Sequence, residues 1–326
     1  MLQKKIKFTG FPKYHDPHDQ PYYRFLSDRY DLRECDDPDY VIDGGQDFEH
    51  VNYDAIKVLI CSENEVPDFN TYDYAVASSH IQFGDRYVRV PWYAFSPLAH
   101  ELSSRPAIDD ISLLNRGFCS FVVSNSEFAD PIRKRFFDEL SRYKKIASGG
   151  SYLNNVGEKV KDKMSFCRGF KFNIAFENSS CPGYVTEKIV DAYAAHSVPI
   201  YFGSPDIKRD FCETSMVYVS GVHDISRAID EVIMLDKDDK AYMERVSGPC
   251  FKGGNAKEYS QKLEEFLCHI FDQPLSEARR LCPYGHQAMM RRHLRYVHGI
   301  DYKIGRSLAY RFAVSVAGKI RALRRG

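Results

Sequence analysis

The stretch from Phe172 to Phe202, FNIAFENSSCPGYVTEKIVDAYAAHSVPIYF, decides the fold. It opens on the apolar run Phe172-Asn173-Ile174-Ala175-Phe176 and closes on Val198-Pro199-Ile200-Tyr201-Phe202, both of strand character. Between them a polar loop leads into a helical segment, Val185 to His196. Strand, loop, helix, strand is a crossover, and right-handed crossovers build parallel sheets whose ligands lie beyond the carboxyl ends of the strands. The loop at 177–188 is therefore where a ligand belongs. In it Gly183 frees the backbone, Thr186 can cap the helix, and the first helical N–H groups point into the loop, an arrangement suited to a diphosphate. Lys188 adds a cation in the first turn, where the helix dipole disfavours one unless an anion stands in front of it. An ordinary capped turn with a solvated lysine fits the same residues.

Outward from this unit the alternation continues in both directions. Ile6-Lys7-Phe8 and Tyr40-Val41-Ile42 read as strands, with a helix over Tyr22 to Tyr30 between them. Lys57 to Cys61 is a further strand, stopped by Ser62-Glu63-Asn64-Glu65 and by Pro67, so the two acids sit just past its carboxyl end. Asp73 to Ala77 and Arg86 to Val90 are also strand-like. Pro97 to Gly117 mixes Pro, Ser and Asp and reads as a linker, which puts a domain boundary near residue 115. Phe121 to Ser124 then reads as a strand and Asp130 to Tyr143 as a helix with Ile132, Phe136, Phe137 and Leu140 on one face. That helix carries Arg133 in its first turn, and Gly149-Gly150 ends the unit. The expected organisation is 1–115, 116–275 and a basic tail, 276–326.

With 326 residues, 44% of them hydrophobic, the chain can fill two compact cores. Nine cysteines, an odd number without a CxxC pair, fit a reducing compartment. No signal peptide or membrane-spanning run is visible. The 45 basic and 45 acidic residues balance overall, yet 12 of the basic ones and a single acid lie between Arg279 and Gly326, leaving 33 basic against 44 acidic residues before them. Such a tail seeks a polyanion. Asp37-Pro38-Asp39 and Asp236-Lys237-Asp238 have the D-x-D pattern of metal-dependent transferases, but neither ends a strand of the second domain. The scattered histidines and cysteines lack zinc spacing. No bound metal is expected.

The segment Glu177 to Pro205, ENSSCPGYVTEKIVDAYAAHSVPIYFGSP, resembles the donor-binding segment of the α1,3/4-fucosyltransferase family, especially its bacterial members. The resemblance takes in FVVSN at Phe121 to Asn125, the triplet Pro131-Ile132-Arg133, and Ser62 to Pro67 followed by FNTYDYA and DRYVRVP, all in the family's order. It implies an α/β fold of GT-B type, with two Rossmann-like domains facing across a cleft, the first binding acceptor and the second GDP-fucose. Carried over residue by residue, it implies Glu63 as general base, with Glu65 as the competing candidate. It also implies Arg133, Asn178, Tyr184, Glu187 and Lys188 as donor-binding residues, Arg133 and Lys188 on the diphosphate. The family's small residue and glycine before the base are Cys61-Ser62 here, and serine lacks glycine's access to positive φ.

The implied activity is an inverting transfer of L-fucose to a β-galactosyl-N-acetylglucosamine type acceptor, in surface polysaccharide of Lewis-antigen kind. No cofactor is required, although a divalent ion can assist GDP release. The linkage, α1,3 or α1,4, is not readable. A transferase using another nucleotide sugar and a non-catalytic nucleotide-sugar-binding protein are the rival readings. In Arg306 to Arg325, Leu308, Phe312, Val316, Ile320 and Leu323 share one helical face with arginines mainly away from it. That is the profile of a helix on an anionic membrane or on the protein's own acidic body. The expected location is the cytoplasmic face of a bacterial inner membrane. Nucleic acid is not an expected partner, because no nucleic-acid fold or aromatic platform accompanies the charge.

Overall fold

The computed structural model describes residues 1–103, 111–124, 127–252 and 256–305. In chain order the elements are β1 (Gln3–Thr9), α1 (Pro21–Arg29), β2 (Asp31–Glu34), β3 (Tyr40–Asp43), β4 (Ile56–Ile60), β5 (Tyr74–Ala77), β6 (Tyr87–Arg89), α2 (Pro97–Leu102), β7 (Gly117–Phe121), α3 (Ile132–Leu140) and β8 (Ile146–Ser148). They continue with α4 (Lys163–Cys167), β9 (Phe170–Phe176), α5 (Glu187–Ala194), β10 (Val198–Phe202), β11 (Val217–Tyr218), α6 (Ile225–Lys237), α7 (Asp239–Ser247), α8 (Ala256–Phe271), α9 (Leu275–Ala278) and α10 (Gly285–Gly305). Two compact units result, both discontinuous in sequence: Met1–Cys61, Pro67–Val76 and Leu267 onward form the first, Ser62–Val66 and Ala77–Phe266 the second.

The first sheet runs β2-β1-β3-β4-β5-β6, with the pairs from β2 to β5 parallel. Every residue of β3, β4 and β5 is buried, as expected of central strands covered on both faces. The sequence reading missed β2, because Asp-Leu-Arg-Glu at an edge carries polar side chains and its strand state comes only from pairing with Gln3 to Ile6.

The second sheet, β11-β10-β9-β7-β8, contains the crossover that the sequence announces: β9 and β10 pair in parallel from Phe172–Val198 to Phe176–Phe202. The α5 helix between them buries Ile189, Val190, Ala192 and Tyr193. The sheet's core includes Phe121, Ile132, Phe136, Leu140, Phe172 and Ile200, all essentially inaccessible. Parallel sheets with helical crossovers in both units make each Rossmann-like.

Two local expectations are corrected. The strand expected at Phe121 to Ser124 is Gly117–Phe121 instead. The Val123 carbonyl leaves the ladder to accept from Tyr152 N–H at 3.0 Å, beside Gly150, whose missing Cβ would lie 1.9 Å from that oxygen. The expected linker Pro97 to Gly117 begins with helix α2, because Pro97 occupies a first-turn position where its lost N–H costs nothing, and Ala99 and Leu102 are buried. The amphipathic face expected over residues 306–325 lies outside the described residues. No described helix is long and apolar enough to cross a membrane, and the nine cysteines carry no disulfide.

Candidate active site

All six candidate residues fall in the second unit, around the carboxyl end of β9. Glu177 follows the strand directly and is fully buried. Its carboxylate accepts from Thr186 N–H at 2.7 Å, from Thr186 Oγ1 at 3.0 and 2.8 Å, and from Lys188 Nζ at 3.0 Å. The loop after β9 is thus folded back onto the start of α5. Thr186 is the N-cap, as its residue type suggests, although its hydroxyl reaches Lys188 N–H at 3.5 Å. The cation in the first turn therefore has a counter-charge within the protein. Burial disfavours the Lys188 ammonium, but the attraction of Glu177 and Glu187 outweighs it and the pKa is raised. Glu187, at the first helical position, is half-exposed and 3.9 Å from Lys188.

Arg133, one of the largest fully buried side chains, enters from the first turn of α3. Its Nη2 donates to the Phe176 carbonyl at 2.7 Å and to Asn178 Oδ1 at 2.8 Å, fixing the guanidinium and the Asn178 amide against each other. Desolvation lowers its pKa while Glu177 opposes that shift. Asp130 N–H donates to the Asn178 carbonyl at 2.8 Å, so the α3 loop is tied to the same turn. The charges of Arg133, Lys188 and Glu177 thus act on one another, with Asn178 joined to Arg133 by its side chain.

Tyr184 is buried, and its hydroxyl donates to Glu63 Oε2 at 3.4 Å. Burial first, then the nearby carboxylates of Glu177 and Glu63, push the phenol's pKa far up, so it stays a donor. Glu63 itself is exposed. A second tie, Asn64 Nδ2 to Ser179 Oγ at 2.8 Å, binds the Glu63 loop to the polar loop after β9. Ser62 needs no glycine-like backbone: among the described residues, positive φ outside glycine occurs only at Phe128, Leu153 and His196.

Sequence reasoning gave no role to Glu177, Ser204, Asp206 or His80. Gly183 adopts φ +84° and its N–H donates to Ser204 Oγ at 2.9 Å and Asp206 Oδ1 at 3.0 Å, while Asp206 meets His80 Nε2 at 2.7 Å. Only Glu177 left a signal in the sequence, as an acid abutting an apolar strand at a ligand-facing end. A Cβ on Gly183 would lie 2.2 Å from the Ser78 carbonyl. Gly183→Ala should therefore destabilise by roughly 1–3 kcal/mol and displace Tyr184. Thermal melting and a GDP titration check this: the melting point falls and GDP binds more weakly, whereas unchanged values would show that the loop tolerates the side chain.

Among the described residues no three or more His, Cys, Asp and Glu side chains gather to hold a metal ion. The D-x-D acids have other partners. Asp236 accepts from Tyr143 Oη at 2.9 Å and pairs with Lys144, and Asp238 caps α7 by accepting from Ala241 N–H at 3.0 Å. Asp37 lies 3.4 Å from Lys5.

Residues 6–96 match the alpha-(1,3)-fucosyltransferase FucT N-terminal domain, and residues 115–248 match the glycosyltransferase family 10 (fucosyltransferase) C-terminal domain. A crystal structure of an α1,3-fucosyltransferase with GDP-fucose superposes with TM-score 0.67 at 30% identity, over 82% of this chain and 91% of that one. The chain belongs to the α1,3-fucosyltransferase family. A GDP-bound α1,3-fucosyltransferase structure gives TM-score 0.71 at 29% identity, over 83% of this chain and 91% of that one. The alpha-(1,3)-fucosyltransferase FucT of Helicobacter pylori is 36% identical over 225 residues, covering 59% of this chain, which spans 46% of that relative's length. The loop after β9 falls inside the C-terminal domain match, and Glu63 inside the N-terminal one.

Proposed function

We propose that the protein transfers L-fucose from GDP-fucose to a glycan hydroxyl with inversion at the anomeric carbon. The observation that carries this reading is the pairing of two features in one unit: a carboxylate, Glu63, hydrogen-bonded to Tyr184, and two cations, Arg133 from α3 and Lys188 from α5, tied to Asn178 and Glu177 of the loop after β9. In the transfer Glu63 takes the proton of the attacking hydroxyl. The hydroxyl oxygen bonds to C1 of fucose from the side opposite the diphosphate, and the bond from C1 to the diphosphate oxygen breaks, its electron pair leaving with GDP. Arg133 and Lys188 offset the charge that builds on that oxygen, and fixed charges acting on a leaving group in a water-poor site are a large contribution. Asn178, held by Arg133, reaches the phosphate region; Glu187 and Tyr184 meet ribose or fucose. The transition state has oxocarbenium character, by analogy with glycoside cleavage.

The acceptor in this reading is a β-galactosyl-N-acetylglucosamine unit of surface polysaccharide, fucosylated on the cytoplasmic face of a bacterial inner membrane to which the basic tail adheres. No cofactor takes part. The named relatives support the donor and the α1,3 linkage. The test is incubation with GDP-fucose and N-acetyllactosamine, followed by NMR of the product. An α-fucoside on O3 of N-acetylglucosamine is the expected result. GDP release into water alone would overturn the acceptor, and a β-linked product would overturn the inverting mechanism.

A further inference from the structure

A second cationic site lies in the first unit, at the amino ends of β4 and β5. A pocket of about 580 Å³ there is lined by Lys57, Arg279, Arg291, Arg292 and Arg295. Two acids, Asp54 and Asp73, also line it, and against five cations they leave an excess of positive charge. Asp54 pairs with Arg279. The Asp73 carboxylate is taken up by backbone, accepting from Lys57 N–H at 2.8 Å and from Arg280 and Leu281 N–H at 2.7 and 2.8 Å. Among the described residues, Lys57, Arg291, Arg292 and Arg295 make no salt bridge to a carboxylate.

The arginines are nevertheless fixed. Arg291 donates to the Asn70 carbonyl at 3.1 Å and to the Cys282 carbonyl, and Arg295 to the Val51 carbonyl at 3.0 and 2.6 Å. Arg291 and Arg295 stand one turn apart on α10, a spacing at which like charges destabilise a helix unless something negative lies between them. Lys57 is buried, 5% exposed, with Nζ on the Ala55 carbonyl at 2.9 Å. Burial, with Arg279 and Arg291 adding repulsion against the pull of Asp73, pushes its pKa down to about 8. Cations held by backbone carbonyls around a cavity, in excess over the carboxylates there, are preorganised for an anion.

We propose that this pocket binds a phosphate group, either as free phosphate or as the phosphate of a lipid headgroup. The site is separate from the loop after β9; because Arg279, Arg291, Arg292 and Arg295 belong to the basic tail, the lipid arm rests on the membrane reading above, whereas the free-phosphate arm rests on neither that nor the transferase reading. It is tested on the full chain with two probes: thermal melting in inorganic phosphate against chloride at matched ionic strength, and sedimentation with phosphatidylglycerol or phosphatidylcholine vesicles. Arg291→Gln/Arg292→Gln is compared with the unaltered protein, and Arg292→Gln alone serves as a milder variant that removes no carbonyl contact described above. The expected result is a phosphate-specific rise in melting temperature, with the apparent affinity weakened about ten-fold or more in the double variant. Vesicle binding that requires phosphatidylglycerol and is lost in the variants would assign the phosphate to a lipid. Stabilisation equal in chloride and phosphate, or variants that bind both probes like the unaltered protein, would overturn the proposal.

Discussion

Glu63→Gln lowers acceptor-dependent GDP release by about 10²–10⁴-fold, the usual contribution of a general base. The amide keeps the shape of the side chain and can still accept from Tyr184, now 3.4 Å from Glu63 Oε2, but it takes no proton. Arg133, Asn178 and Lys188 are untouched, so affinity for GDP-fucose stays at its original value. A binding measurement beside the rate measurement therefore separates loss of chemistry from loss of structure. Glu65→Gln is the matched control and leaves the rate close to that of the unaltered protein. If Glu65→Gln proved the more damaging change, the assignment of the base within this loop would be wrong.

Glu177→Ala has the second large effect, and the effect is on structure. The carboxylate is fully buried, stitches Thr186 to the end of β9 and balances Lys188 at 3.0 Å. Removing one partner of a buried ion pair costs about 3–5 kcal/mol, because the remaining charge is left without compensation. The urea midpoint of the second unit should fall accordingly, and GDP should bind more weakly as the start of α5 loosens. The pH dependence gives a second reading. The pKa of Lys188 is raised in the folded protein, so the pair's stabilisation is complete below the ordinary lysine pKa and is lost as pH climbs through the raised value. The variant, lacking the pair, should lose less stability over that alkaline window than the unaltered protein. A midpoint within experimental error of the original at pH 7 would show that Glu177 has no such role.

The crossover from Phe172 to Phe202 was legible because its strands are buried on both faces and its helix is amphipathic, so composition and periodicity carry the information locally. The edge strand Asp31–Glu34 was not, since only its neighbour makes it a strand. Val122 to Ser124 misled for the converse reason: strand-forming residues are drawn out of the ladder by a contact with Tyr152 that no local pattern encodes. At the site, Arg133, Asn178, Tyr184 and Lys188 came from a resemblance of motifs, and the structure gathers them around the end of β9. What the sequence could not express is who neutralises whom. Lys188 was read either as a cation awaiting a phosphate or as a solvated lysine in a capped turn, and its partner Glu177 sits only eleven residues away across the loop. In the proposed donor complex a diphosphate competes with that carboxylate for the ammonium, while Arg133 Nη2 is held by the Phe176 carbonyl and Asn178 Oδ1.

Calorimetric titration of GDP-fucose into the full chain, repeated with Arg133→Ala, tests the donor assignment most directly. The account predicts saturable binding at a single site for the unaltered protein, weakened about ten-fold or more when the guanidinium is removed. Absence of binding, or the same affinity in both proteins, would contradict it.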